Sequence, residues 1–214
     1  AIAKEMEPTL LLPMGFGAIL VNLPIDPADV GREYEPIIRI NSQSGKGGIG
    51  YLLEHNFGYV LPGKMREEVG YLVKSISDHA HAELTPAQVL SAFTDTYVNI
   101  DTHVRLTDYH FEKKTGICAA ITLEADGVSH ELKSCGNGRL DAVANAVKKY
   151  LNIEFSNLTY EEHAITRGSA SQAITYVSIE TPAGKTVWGV GIHDDIIVSS
   201  INALFSAVNR SMEE

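Results

Sequence analysis

Apolar residues in this chain keep one spacing up to about residue 100 and another beyond it, and the change marks two architectures. In the first part Met65, Val69, Leu72, Val73 and Ile76 recur at intervals of three and four, which predicts an amphipathic helix over Leu61 to Ser77, with Pro62 tolerated in its first turn. Thr85-Pro86-Ala87-Gln88 reads as the start of another: a capping threonine, proline at the first helical position and glutamine three residues after the cap. Val89, Leu90, Phe93 and Tyr97 form its buried face. Upstream, YEPIIRI (Tyr34 to Ile40) alternates like a strand and IGYLLE (Ile49 to Glu54) begins a helix. The glycine-rich NSQSGKGG between them is read as a structural turn with a flexible hinge.

From Asp101 the period becomes two. Val104 and Leu106, then Ile117, Ala119, Ile121 and Leu123, alternate; a turn at Asp126-Gly127 and a short strand through Leu132 follow. A helix is predicted over Leu140 to Leu151, and then the order repeats. Strands are expected at Phe155 to Ala164, Ala173 to Glu180 and Thr186 to Ile192, with a turn at Ala183-Gly184 and a helix from Ile196 to about Ser211. Asn145-Ala146-Val147 and Asn202-Ala203-Leu204 hold matching helix positions, 57 residues apart. Residues 101–214 thus read as two βββα units, about 101–152 and 153–214, each laying a helix on a three-stranded sheet. Neither buries much alone, so the pair is expected to fold cooperatively and to dimerise. Leu23 to Arg32 (LPIDPADVGR) has linker composition. The fold class is α+β: an N-terminal segment and linker (1–32), a mainly helical accessory subdomain (33–100), and the paired units (101–214).

Composition narrows the function. Seventeen basic against 27 acidic residues give a formal charge of −10, the wrong sign for gripping a nucleic-acid backbone. Two cysteines in 214 residues, Cys118 and Cys135, argue against a disulfide framework and fit a reducing cytoplasm, where both are expected to be small buried hydrophobes. The apolar stretch Thr9 to Leu23 is too short to span a bilayer and lacks a cleavage pattern, so it is read as a packed segment or linker, with no membrane partner. The chain starts at Ala1 without methionine and is expected to be an excerpt.

Several motifs resemble chemistry they do not complete. Gly45-Lys46 is followed by Gly47 and preceded at five residues by Ile40, so the Walker pattern fails at both ends. Asp78-His79-Ala80-His81 has the spacing of a strand metal pair but falls at a helix end, where solvated histidines are favoured by the dipole and no metal site is expected. His163 and His193 lack a partnered nucleophile and are read as structural; no catalytic residue is assigned. Gly136-Asn137-Gly138 and Gly189-Val190-Gly191-Ile192-His193-Asp194 each precede a helix. Unpaired amides at such starts fit the carboxylate of a small acid or amino acid, though glycine turns alone account equally well for both stretches.

NSQSGKGG with YLLE, the linker LPIDPADVGR, the CGNGRLDA turn, YEEHAITRGSASQA and the ending WGVGI...SAVNR together resemble the C-terminal portion of the 2-isopropylmalate synthase family, in its longer actinobacterial and fungal type. The resemblance runs from about Leu23 to Arg210. It implies a parent enzyme whose TIM barrel condenses acetyl-CoA with 2-oxoisovalerate at a divalent metal, followed by an accessory subdomain and a regulatory domain that binds L-leucine as feedback inhibitor. The barrel, its metal and its His-x-His are absent here, so this chain alone is expected not to catalyse and to carry no cofactor. The alternatives are a stand-alone amino-acid-sensing module and the regulatory domain of a citramalate synthase that answers to isoleucine.

Carried over residue by residue, the resemblance implies a leucine pocket of Gly136, Asn137, Gly138, Leu140 and Asp141, with Asn157, Tyr160, Ala164, Ser171, Ala173 and Ile192 completing it. Helix-start amides would hold the carboxylate, backbone carbonyls and Asp141 the ammonium, and Leu140, Ala164, Ala173 and Ile192 the isobutyl group. Arg139 replaces the family's usual proline, Ser171 a common alanine, and Asn157 an apolar residue. The glycine-rich turn would serve as a pivot that passes the signal to the barrel.

Overall fold

The computed structural model describes residues 46–113, 116–168 and 170–213. The linker Leu23 to Arg32, the apolar Thr9 to Leu23, the strand Tyr34 to Ile40 and the turn through Gly45 lie outside the described residues.

Three helices come first: α1 (Lys46–Phe57), α2 (Gly63–Ala80) and α3 (Pro86–Tyr97). The hinge reading fails for Lys46 to Gly48, which are the first turn of α1, and the helix expected from Ile49 is present. Glycine costs helix stability, but Ile49, Leu52 and Leu53 are buried and pin the segment, and Gly50 sits against the Arg66 side chain where a Cβ would come within 2.7 Å. Helix α2 buries Met65, Val69 and Val73 as expected and runs past Ser77 to Ala80, where His81 closes it in a left-handed conformation. His79 is therefore helical, its Nδ1 2.7 Å from the Ser75 carbonyl, and both histidines are exposed. The box at the start of α3 forms in full: the Gln88 amide donates to Thr85 Oγ1 and the Thr85 amide to Gln88 Oε1. Val89, Phe93 and Tyr97 are buried.

Two three-stranded antiparallel sheets follow, in the orders β1-β2-β3 and β4-β5-β6. The first unit is β1 (Val104–Lys113), β2 (Ile117–Ala125), β3 (Val128–Gly136) and α4 (Arg139–Leu151); the second is β4 (Ser156–Ala164), β5 (Ala173–Glu180), β6 (Thr186–His193) and α5 (Ile196–Met212). The helices begin 57 residues apart, at Arg139 and Ile196. Asp126 and Gly127 both take positive φ, as a two-residue hairpin turn requires.

Strand β3 runs beyond Leu132 to Gly136, and the extra rungs place Cys118 directly opposite Cys135. The cysteines are joined in a disulfide, Cys118 half-buried and Cys135 exposed, so they are not the buried free thiols expected from their number. Side chains facing each other across neighbouring strands share one face of the sheet, here the face opposite α4, which packs on Ala119, Ile121 and Leu123.

The second glycine motif also differs from its reading as a helix-start turn. Gly189 and Gly191 are inside β6, and a Cβ on either would collide with the backbone of α5 at Ala203, Ala207 or Ser199. The missing side chains let helix and sheet approach closely. Sheet β4-β5-β6 is covered on both faces: Val177, Ile179 and Val187 join the core shared with α4 and α5, while Ile174, Tyr176, Trp188 and Val190 pack with α1, α2 and α3. Packed on both sides, β5 is buried from Ile174 to Ile179, Thr175 and Ser178 included. Among the described residues the Tyr176 hydroxyl has no hydrogen-bond partner, and burial pushes its pKa well above the ordinary tyrosine value.

Two side chains fasten the helical layer to the sheets. The Asn209 carboxamide is buried in α5, accepts from the His103 and Val104 amides, and donates to the Ile100, Val104 and Phe205 carbonyls. The Arg210 guanidinium lies 4.2 Å over the Tyr97 ring, donates to the Trp188 carbonyl and pairs with Glu68 at 3.2 Å. Tyr97 Oη donates to the same Glu68 carboxylate at 2.9 Å.

Candidate functional site

A cleft opens between the two βββα units, where the first turns of α4 and α5 meet β4. It comprises two adjoining cavities of about 320 and 330 Å³ that share Arg139, Leu140 and Tyr160. The first lies between the helix starts: Ile117, Leu140, Ile196, Ile197 and Ile201 give it apolar walls, and Arg139, Glu162 and Ser200 give it a polar rim. The second runs along α4, past Asp141, Ala144 and Lys148, to Phe155, Asn157 and Leu158. Such volumes suit a small organic ligand.

Each wall has a local cause. The duplication places Leu140 and Ile197, 57 residues apart, at the second position of their helices, and both line the first cavity. Tyr160 and Glu162 are two residues apart on β4 and so share a face. Tyr160 is 55% exposed and Ile196 46% exposed, large apolar surfaces concentrated at one opening.

The two helix starts are electrically unlike. At α5 the Asp195 carboxylate caps the helix, accepting from the Ile197 amide at 2.7 Å and from Tyr109 Oη at 3.3 Å. Loss of solvent and the neighbouring Asp195 raise the Tyr109 pKa above its ordinary value, which keeps it a donor. At α4 the cap residue is Gly138, and no side chain caps the helix. The Asn137 amide is already held by Asp141 Oδ2 at 2.8 Å, and the Arg139 guanidinium stands 5.7 Å over the Phe111 ring. A dipole-positive end with an arginine beside it favours an anion.

Of the residues expected in the pocket, Gly138, Leu140, Asp141, Asn157 and Tyr160 line the cleft. Gly136 and Asn137 frame it from behind: Gly136 pairs with Ile117 and lies against Asp141 and Ala142. Ala164 and Ala173 pair with each other at the far end of the β4-β5 hairpin, and Ser171 accepts from the Thr166 amide in the adjoining loop. Those three do not line either cavity. Ile192 pairs with Ile174 and packs towards the helical layer, on the opposite face of the sheet. Sequence reasoning missed Ile117, Glu162, Ile196, Ile197, Ser200 and Ile201. The 57-residue offset applied to Leu140 would have pointed to Ile197, whereas Ile117 and Glu162 carry no local signal.

His163 and His193 are structural in their contacts. His163 Nε2 lies 3.0 Å from the Gly58 carbonyl and its ring stacks on Tyr176, while His193 Nδ1 accepts from the Asp195 amide. Among the described residues no group of three or more His, Cys, Asp or Glu side chains is placed to hold a metal ion, and no helix is long and apolar enough to cross a membrane.

Comparison with known proteins agrees with this arrangement. Residues 83–212 match the LeuA allosteric (dimerisation) domain, and residues 19–54 match a domain described as alpha-isopropylmalate synthase, post-catalytic domain-like. The chain is 48% identical over 191 residues to a 2-isopropylmalate synthase of Desulfitobacterium hafniense, covering 89% of this chain and 34% of that protein. It is 46% identical over 198 residues to one of Helicobacter hepaticus, covering 88% and 35%. To one of Rhizobium meliloti it is 38% identical over 218 aligned positions, covering 100% and 38%. The chain spans about a third of the length of these curated relatives. The shared sequence, the duplicated βββα units and the cleft between them lead to one assignment: the chain belongs to the family of LeuA allosteric (dimerisation) domains.

Proposed function

We propose that this chain is the regulatory portion of a 2-isopropylmalate synthase, a cytoplasmic transferase, and that L-leucine bound in the cleft inhibits condensation of acetyl-CoA with 2-oxoisovalerate on a separate, metal-dependent barrel. The observation that carries the reading is the first cavity, in which a branched apolar floor lies beside opposite charges. Arg139 and the open start of α4 would take a carboxylate, and Glu162 with Ser200 an ammonium. An isobutyl group would lie among Ile117, Leu140, Ile197 and Ile201, and its burial contributes roughly 2 to 3 kcal/mol. Ala164, Ser171, Ala173 and Ile192 have no direct role in this form of the reading. Regulation would act through a homodimer formed by this domain, with the three helices between it and the barrel.

Titration calorimetry with leucine, isoleucine, valine and alanine tests it. Leucine is expected to bind most tightly, and valine, one methylene shorter, more weakly by about 1 to 3 kcal/mol. Gly138→Val is informative because an added Cβ there meets no atom within 4 Å. Its branched side chain would stand at the open helix start that is to take the carboxylate, and leucine binding is expected to be lost. Equal heats for leucine and alanine, or unchanged leucine binding in Gly138→Val, overturn the reading; preference for isoleucine would reassign the effector.

A further inference from the structure

The Cys118–Cys135 disulfide lines neither cavity of the cleft, yet it is built into the frame of both. It ties the start of β2 to the end of β3, one residue from Ile117 on one strand and one from Gly136 on the other. Ile117 is a wall of the first cavity. Gly136 opens the loop that leads into α4, and an added Cβ there would fall 2.6 Å from the Ala142 amide nitrogen and from Asp141 Oδ2. The Asn145 side chain in α4 donates to the Cys135 carbonyl. The rung therefore sits where strand, loop and helix start are joined.

Three further facts bear on what the bond does. The bond closes a loop with a sequence separation of 17 and so restricts the unfolded chain, and in the native state it acts at the open end of a hairpin whose other end is the two-residue turn Asp126-Gly127. The sulfurs border a depression of about 410 Å³ on the outer face of the sheet, rimmed by His110, Glu112 and Lys133, and Cys135 is exposed. In the second unit the corresponding face is covered by the helical layer, whereas among the described residues none covers this one, and the sulfurs are within reach of small thiols.

We propose that the disulfide is a thiol-operated latch on the start of α4: a dithiol reductant opens it, and the loop from Gly136 to Asp141 loosens along with the cleft wall at Ile117. A thiolate of the reductant attacks Sγ of Cys135, the S–S bond breaks, and Cys118 leaves as a thiolate that takes up a proton. The reductant's second thiol displaces Cys135 from the mixed disulfide. Two protein thiols and one oxidised dithiol result, with two electrons transferred. The consequence for ligand binding rests on the amino-acid reading above; the loosening does not.

The 214-residue chain is prepared oxidised and, separately, treated with dithiothreitol without denaturant. Two titratable thiols are expected after treatment and none before. Amide exchange at residues 136–141 is expected to rise at least threefold while exchange in β5 stays constant, and the leucine dissociation constant to rise at least threefold. The Cys118→Ser/Cys135→Ser chain should match the reduced state and ignore dithiothreitol; if that variant does not fold, the reduced native chain carries the test. A bond that resists dithiothreitol in the native state or unchanged exchange at 136–141 overturns the latch, and changed exchange with unchanged leucine affinity overturns its coupling to the cleft. Changed exchange with no leucine heat in either state supports the loosening and removes the leucine reading instead.

Discussion

Asn209 illustrates how much one side chain carries. Its carboxamide accepts from two amides and donates to three carbonyls, and it does so inside the core. Asn209→Ala leaves the His103 and Val104 amides without this acceptor, and chemical denaturation is expected to show a loss of about 3 kcal/mol or more. Asn209→Asp keeps the acceptor but buries a charge and loses the donor, so it should be no milder. In the sequence this asparagine is one polar residue in an apolar stripe, indistinguishable from an exposed one, because its partners lie more than a hundred residues away. The cysteines were hidden for a related reason. Their count was legible, but their register was not until β3 extended to Gly136.

Helices and hairpins were legible where they carry their own punctuation. The box at Thr85 and the Asp126-Gly127 turn stand where the residues place them. Thr85→Ala is expected to cost about 1 kcal/mol in thermal or urea unfolding, since the Gln88 amide loses its Thr85 Oγ1 acceptor while the backbone amide of residue 85 can still donate to Gln88 Oε1. Glycine misled at Gly47 and Gly48, read as a turn and found helical; Gly50 is helical as expected, and of the two readings of Gly189 and Gly191, strand and helix-start turn, the strand holds. What decides each is the neighbour that needs the room. Gly191→Ala places a methyl group against the α5 backbone and should destabilise by about 3 kcal/mol. Gly138→Ala, with open space around it and a φ of −139°, should stay within about 0.5 kcal/mol of the parent. Denaturation curves of the two variants side by side check the contrast.

At the scale of the molecule, the duplication was legible from the 57-residue offset, but the unequal use of its two halves was not. Among the described residues one sheet is enclosed between helices on both faces and the other on one face only. Enclosure has a titration signature. Burial raises the pKa of Tyr176, and burial together with Glu68 raises that of Tyr97, above the ordinary value near 10. Both phenols stay neutral in the native state while the unfolded chain ionises. Their contribution is thus fully present below pH 10 and is lost as the pH climbs through the native values. Stability measured between pH 8 and 12 should be level at first and fall above about pH 10, with the last tyrosines ionising only as the chain unfolds. The cleft itself was half legible: the α4 side follows from Gly138, Leu140 and Asp141, whereas the α5 side follows only from the packing of one unit on the other. Helix α5 begins at that cleft with Ile196 and carries Arg210 beside Tyr97 and Glu68 in its last turn. Seventeen residues make a rod about 25 Å long. With its backbone seated directly on Gly189 and Gly191, the helix has little room to bend, and a displacement of its first turn is expected to register at the arginine at its other end.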